Sequence, residues 1–246
     1  MQNKKKVLML IGSPKPERST SGSIANYLES QMEQAPIQVE KMQIRKQLMT
    51  SEGCGKLIEA FQQAHVILLI SPLYVDSLPA PVIRVLELIA SNRTKTSREQ
   101  IFMAIINAGF PEAAHNETAL AICQNFVREC GMKWGGGLAV GMGGSISGAP
   151  LDKLGGMVRK LRKALELTAE SVVAGEDLPI EAIRLAAIPS MPCWFYRLMG
   201  NIGWKMQARK YGVSNMINSR PDTMLTAGVV SYDMVYKDPE KSEYEE

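Results

Sequence analysis

Residues Val7–Ile11 form an unbroken apolar run, with Lys4-Lys5-Lys6 before it and Gly12-Ser13 after it. Comparable runs recur at Val66–Ser71 and Ile101–Ala108. Short apolar runs without polar alternation predict strands covered on both faces, as in a parallel sheet between helices. Between them, apolar positions return at helical spacing. Ile24, Ala25 and Leu28 share a face in Ser21–Gln34, and Leu57, Ile58, Phe61 and Ala64 do so in Lys56–Ala64. A third helix is expected over Pro79–Ser91. In Asn116–Cys130 the face is Ala119, Ile122, Phe126 and Cys130. In Leu154–Val173 it is Leu154, Met157, Val158, Leu161, Leu165 and Val172. Two weaker strands complete the series: Ile37–Ile44, which alternates, and Gly135–Met142, which is rich in glycine. With Lys6–Ile11 as the first strand, strand and helix alternate five times, the pattern of a doubly wound α/β sheet. For five strands the expected order is 2-1-3-4-5, with a ligand crevice at the C-terminal ends of strands one and three.

Each of the three apolar strands runs into a loop with chemistry of its own. The first, Gly12–Ser23, is rich in hydroxyls and leads into a helix start. Backbone N–H groups there lack partners within the helix, and the dipole favours negative charge. Ser13, Ser19, Thr20, Ser21 and Ser23 add neutral donors, and Lys15 and Arg18 add positive charge. This set suits one phosphate group better than a triphosphate. The loop lacks G-x-x-x-x-G-K-[ST], against a P-loop nucleotidase, and G-x-G-x-x-G, against the usual dinucleotide fingerprint. The strand does not end in paired aspartates, against a phospho-receiver. A serine-rich turn that only caps the helix is the plainer alternative.

The second loop, Ser71–Pro79, holds two prolines and a tyrosine directly after a buried strand. It predicts a stiff wall able to flank a flat ring, with the helix resuming at Pro79–Pro81. A proline-rich turn that merely closes a strand is the other reading. The third, Asn107–Glu112, is small and strand-terminal, and Gly109 allows close approach of backbone to a ligand.

In order, GSPKPERSTSGSIA, SPLYVDSLPAPV and NAGFPE resemble the NAD(P)H-dependent FMN reductase family of flavodoxin-like proteins, over about residues 6–112. The resemblance implies a flavodoxin-like FMN-binding domain over residues 1–175, with 176–246 as a C-terminal helical extension and acidic tail. It implies phosphate contacts from Ser13, Lys15, Ser19, Thr20, Ser21 and Ser23. It implies ring contacts from Pro72, Leu73, Tyr74 and Val75, and from Asn107, Ala108 and Gly109. The expected cofactor is FMN, with NADPH or NADH as reductant and a homo-oligomer as the assembly. Hydride then passes from nicotinamide C4 to flavin N5, and no protein nucleophile or general base is required. The iron–sulfur branch of this fold carries a cysteine cluster that is missing here.

Composition narrows the field. Cys54, Cys123, Cys130 and Cys193 show no C-x-x-C spacing, so no metal or cluster is expected. Cys123 and Cys130 fit buried positions of the fourth helix. Free thiols without a signal peptide point to the cytoplasm, and no apolar run approaches the length of a membrane span. Of the two histidines, His65 reads as structural. His115, after the third loop, reads as a ligand contact or as a surface residue at a helix start. Asp76 and Glu112 read as solvated loop charges. The glycine-rich Gly141–Gly148 is either a lid or nicotinamide contact, or a flexible loop near a subunit interface.

The net charge of +3 is unevenly spread. Ala182–Pro221 contains Arg184, Arg197, Lys205, Arg209, Lys210 and Arg220 and no acidic residue, together with Trp194 and Trp204. The tail from Lys237 is acidic. Helices are expected at Leu178–Ala187 and Phe195–Lys210. This segment has four open roles: a cap over the flavin pocket, a site for NADPH phosphates, a membrane-surface contact, or a packing appendage with a solvated basic face. Nucleic acid is not expected, since no recognition motif accompanies the charge. The leading expectation is an FMN-dependent NAD(P)H oxidoreductase acting on a flavin, quinone or similar small acceptor. The alternatives are a flavodoxin-type electron carrier and a non-catalytic flavin-binding sensor or interaction protein.

Overall fold

The computed structural model describes residues 4–15, 18–93 and 99–218. Five parallel strands, β1 (Lys5–Ile11), β2 (Ile37–Gln43), β3 (Val66–Pro72), β4 (Ile101–Asn107) and β5 (Lys133–Val140), pair in the order β2-β1-β3-β4-β5. The helices between them are α1 (Thr20–Met32), the single turn α2 (Ile44–Gln47), α3 (Ser51–Gln63), α4 (Ala80–Ser91), α5 (Glu117–Glu129), the single turn α6 (Gly143–Ile146) and α7 (Arg159–Ala174). The fold is flavodoxin-like, in the strand order that the spacing of apolar runs predicts.

The strand pleat sorts the core into two halves. Val7, Met9 and Ile11 of β1 point with Leu68 and Ile70 of β3 toward α1 and α7. Leu8 and Leu10 point with Ile67 and Leu69 toward α3, α4 and α5. Every second residue therefore enters one layer and its neighbour the other, which is why these strands carry no polar alternation.

Several boundaries differ from the sequence expectation. The second major helix begins at Ser51, five residues before Lys56, because the Thr50 hydroxyl accepts from Gly53 N at 3.0 Å and caps it. The glycines at 53 and 55, which resemble breakers, sit inside the helix. The last strand covers Lys133–Val140 rather than Gly135–Met142. Its pairing shifts between Phe102 and Met103, where Gly136 takes φ 115° in a bulge. The fifth helix starts at Arg159, not Leu154. Leu151–Val158 is 3-10 in character and broken at Gly155 (φ 58°, ψ −140°).

Beyond Gly175, α8 (Ile180–Ala187) inserts Ala182 and Ala186 into the α1/α7 side of the core, and α9 covers Cys193–Lys210. The chain divides into two compact units, one to Tyr196 and one from Arg197. In the second, Leu198, Met199, Ile202, Trp204 and Met206 are exposed among Lys205, Arg209 and Lys210. The acidic tail from Lys237 lies outside the described residues. Among the described residues, no helix is long and apolar enough to cross a membrane.

Candidate functional site

The C-terminal ends of β1, β3 and β4 reach the same edge of the sheet, and their loops surround a cleft of about 260 Å³. Gly12 sets the first loop's path. A methyl group there would stand 2.6 Å from Ser71 Oγ and 2.7 Å from Val82 Cγ2, so only glycine lets the loop leave β1 against β3 and α4.

The helix start is capped from within. Ser19 Oγ accepts from Gly22 N at 3.0 Å, and the Ser19 carbonyl accepts from Ser23 N at 2.9 Å. The N–H groups of Thr20 and Ser21, in the first turn of α1, have no partner among the described residues. The hydroxyls divide by what they already do. Ser13 Oγ accepts from Lys15 N (3.3 Å), Ser19 Oγ from Gly22 N, and Ser21 Oγ from Asn107 Nδ2 (2.8 Å). Accepting leaves each O–H proton free to be donated. Thr20 Oγ1, by contrast, donates to the Gly143 carbonyl at 2.7 Å. Three serine hydroxyls, two backbone N–H groups and the cations Lys15 and Arg18 thus gather at the cleft, and among the described residues no carboxylate lines it. That donor set matches a phosphate dianion.

The loops after β3 and β4 give the cleft an uncharged lining of Pro72, Leu73, Tyr74, Asn107, Ala108 and Gly109. Leu73 N donates to the Asn107 carbonyl at 2.9 Å, which ties the second loop to the third. Asn107 is buried, and its Nδ2 bonds both Ser21 Oγ and the Ser71 carbonyl (2.9 Å), which joins α1, β3 and β4 beneath the cleft. Tyr74 and Ser77 exchange backbone hydrogen bonds around a two-residue turn, with Val75 and Asp76 both at positive φ. Phe110 packs on the His115 ring (centroids 4.7 Å apart) at the rim. His115 Nδ1 lies 3.7 Å from Asp76 and Nε2 3.9 Å from Glu112.

Of the sequence-derived residues, Ser13, Lys15, Ser19, Thr20, Ser21, Pro72, Leu73, Tyr74, Asn107, Ala108 and Gly109 line this cleft. Ser23 and Val75 do not. Ser23 lies one turn into α1 and is buried, while Val75 sits at the turn tip, 99% exposed. Arg18, Gly143, Gly144 and Ser147 line the cleft as well. The last three belong to the glycine-rich loop after β5, and the signal for them is the same as for the other loops: a small-residue run at a strand's C-terminal end. Tyr196, whose hydroxyl donates to the Gly109 carbonyl at 2.7 Å, carries no sequence signal, since its partners are main-chain atoms. His65 lies away from the cleft. Its Nδ1 accepts from Lys6 N at 3.0 Å, which makes it part of the sheet's start.

A doubly wound parallel sheet with its cleft at the switch point between β1 and β3 places the chain in the flavodoxin-like class. Within that class, a family model for NADPH-dependent FMN reductases matches residues 5–144, more than half of the chain. The chain belongs to that family, one of oxidoreductases. Comparison with curated proteins returned no match. Among solved structures, an FMN-dependent NADH-azoreductase from Bacillus anthracis, in complex with FMN, superposes with a TM-score of 0.52 at 10% identity, covering 69% of this chain and 99% of that one. A Klebsiella pneumoniae protein assigned as a quinone reductase gives 0.50 at 14% identity, covering 71% and 87%. At such identities the likeness is one of fold.

Proposed function

We propose that the chain is an FMN-dependent oxidoreductase that passes hydride from NADPH or NADH to flavin and on to a flavin, quinone or similar small acceptor. The observation that carries this reading is the union, in one cleft, of a phosphate-ready helix start with an uncharged lining from the loops after β3 and β4. Ser13, Ser19, Ser21, the Thr20 and Ser21 N–H groups, Lys15 and Arg18 would hold the phosphate. Pro72, Leu73, Tyr74, Asn107, Ala108 and Gly109 would hold the ring. Bound FMN supplies the redox chemistry itself, as the hydride acceptor and electron donor. The protein's part is position and field. Lys15 and Arg18 offset the phosphate charge, the Leu73–Asn107 backbone bond fixes the spacing of the ring loops, and the proline-rich wall keeps water from one side of the cleft. All four cysteines are unpaired, which supports residence in a reducing compartment. An assembly of like subunits is part of the same proposal.

The test is the visible absorbance of the purified protein, before and after anaerobic NADPH. A flavin band that bleaches is the expected outcome, and repeating the reduction with NADH ranks the two reductants. A band that persists under both would turn the reading to an electron carrier or a flavin sensor. No band even after soaking with FMN would overturn it.

A further inference from the structure

Tyr196 lies beyond the family-matched residues, yet its hydroxyl reaches two of the cleft's loops. It donates to the Gly109 carbonyl, 2.7 Å away in the loop after β4, and packs against the backbone of Gly144 in the loop after β5. The approach is close enough that a methyl group on Gly144 would stand 2.7 Å from the phenol oxygen. The same two loops are joined on either side by backbone bonds, Gly143 N to the Ala108 carbonyl (2.8 Å) and Met142 N to the Phe110 carbonyl (2.7 Å), and the phenol is the tie on Gly109 itself. A side chain at Gly109 would meet no atom within 4 Å, so packing adds nothing to these bonds there. Nearby, Ser190 Oγ lies 3.3 Å from Ser145 Oγ and donates to Met142 Sδ at 3.5 Å, a second tie from the same C-terminal segment to the same loop.

We infer that Tyr196 is a positioning residue for the flavin ring: its hydroxyl holds Gly109 beside Gly144 and so keeps the ring side of the cleft at a fixed width before the cofactor arrives. The inference rests on the FMN reading of the cleft. With Ala108 and Phe110 held, the Gly109 peptide is the part of this loop left free to turn; glycine opposes such turning least of any residue, and ordering it during binding subtracts from affinity. Tyr196 meets that cost during folding. Its hydrogen bond is to Gly109, in a loop assigned to the ring, and it makes no contact with the Ser19–Ser21 helix start, so the effect falls first on the ring.

The experiment titrates FMN and riboflavin, which lacks the phosphate, into cofactor-free wild-type protein, Tyr196→Phe and Ser190→Ala, and follows quenching of flavin fluorescence. Tyr196→Phe keeps the ring and removes only the hydroxyl. It is expected to raise both dissociation constants by the same factor, about three- to tenfold, the weight of one hydrogen bond, with the melting temperature of the cofactor-free protein unchanged. Constants that stay at the wild-type value overturn the inference, as does a loss for FMN alone, which would assign the effect to the phosphate loop. Should Tyr196→Phe lower the melting temperature, Ser190→Ala decides. An equal loss of affinity in that variant means general loosening of the segment and overturns the role of the phenol, whereas a loss confined to Tyr196→Phe upholds it. Wild-type protein that binds neither flavin overturns the FMN reading and this inference with it, while every other outcome leaves that reading standing.

Discussion

Val75 combines a β-branched side chain, 99% exposure and a φ of 50°, and Asp76 follows it at φ 56°. A branched Cβ is badly accommodated in the left-handed region, and the side chain gains no burial in return. The strain persists because the paired hydrogen bonds between Tyr74 and Ser77 close a turn that needs positive φ at both central positions. Val75→Asn, which tolerates that region, is expected to stabilise the fold by about 1 kcal/mol. Urea unfolding checks it, and an unchanged or lower midpoint would show that the turn is not strained. The same residue marks a limit of reading the chain alone. Val-Asp does not announce this turn as Asn-Gly does, so the sequence places Val75 in the ring wall, while the turn carries it into solvent. Ser23 is the complementary case: the hydroxyl run is plain in the sequence, but where the first helical turn ends decides which serines face the cleft. The remaining eleven positions follow from one rule, that strand ends of a doubly wound sheet converge, and are legible for that reason.

At the scale of elements, the buried apolar strands are the legible part, because burial on both faces leaves a continuous run. Boundaries set by a cap, a bulge or a kink are not, since they depend on contacts made in three dimensions. Gln100 illustrates such a contact. It sits just before β4, is buried, and its Nε2 donates to the carbonyls of Phe61 (2.7 Å) and Ala64 (2.9 Å) at the end of α3. Its Oε1 accepts from Arg93 Nη1 at 2.8 Å, and Arg93 Nε in turn donates to the Cys130 carbonyl at the end of α5. One carboxamide and one guanidinium thus close two helices at the edge opposite the cleft. Replacing Gln100 by Leu keeps the volume and removes the three bonds of the carboxamide, which leaves the Ala64 carbonyl without its donor and Arg93 Nη1 without its acceptor. We expect a loss of about 2–4 kcal/mol, read as a lower urea midpoint. Flavin affinity should stay at the wild-type value, since Gln100 is remote from the cleft loops. A variant as stable as wild type would mean that water replaces the carboxamide.

For the molecule as a whole, the two core layers respond to alkali through different groups. On the α1/α7 side, the Tyr27 hydroxyl donates to Glu166 Oε1 at 3.1 Å and joins the two helices. Burial, and then that hydrogen bond and the charge of Glu166, push its pKa up from 10.0 to about 12. On the other side, burial alone pushes the Cys123 thiol from 9.0 to about 12. Both groups are neutral when protonated, and both hold their protons more tightly folded than unfolded. Their contribution to stability is therefore whole below about pH 9 and is lost as pH rises toward 12. The urea midpoint should fall from about pH 9 upward, first through Cys123, whose unfolded thiol ionises earlier, and then through Tyr27. Cys123→Ala should reduce the slope in the lower part of that window and Tyr27→Phe in the upper part, whatever either does to stability at neutral pH. Slopes that match wild type in both variants would place the alkaline loss in other groups. A separation of the two effects along the pH axis would instead show the two layers titrating independently while unfolding together, as expected when one sheet is the shared wall of both.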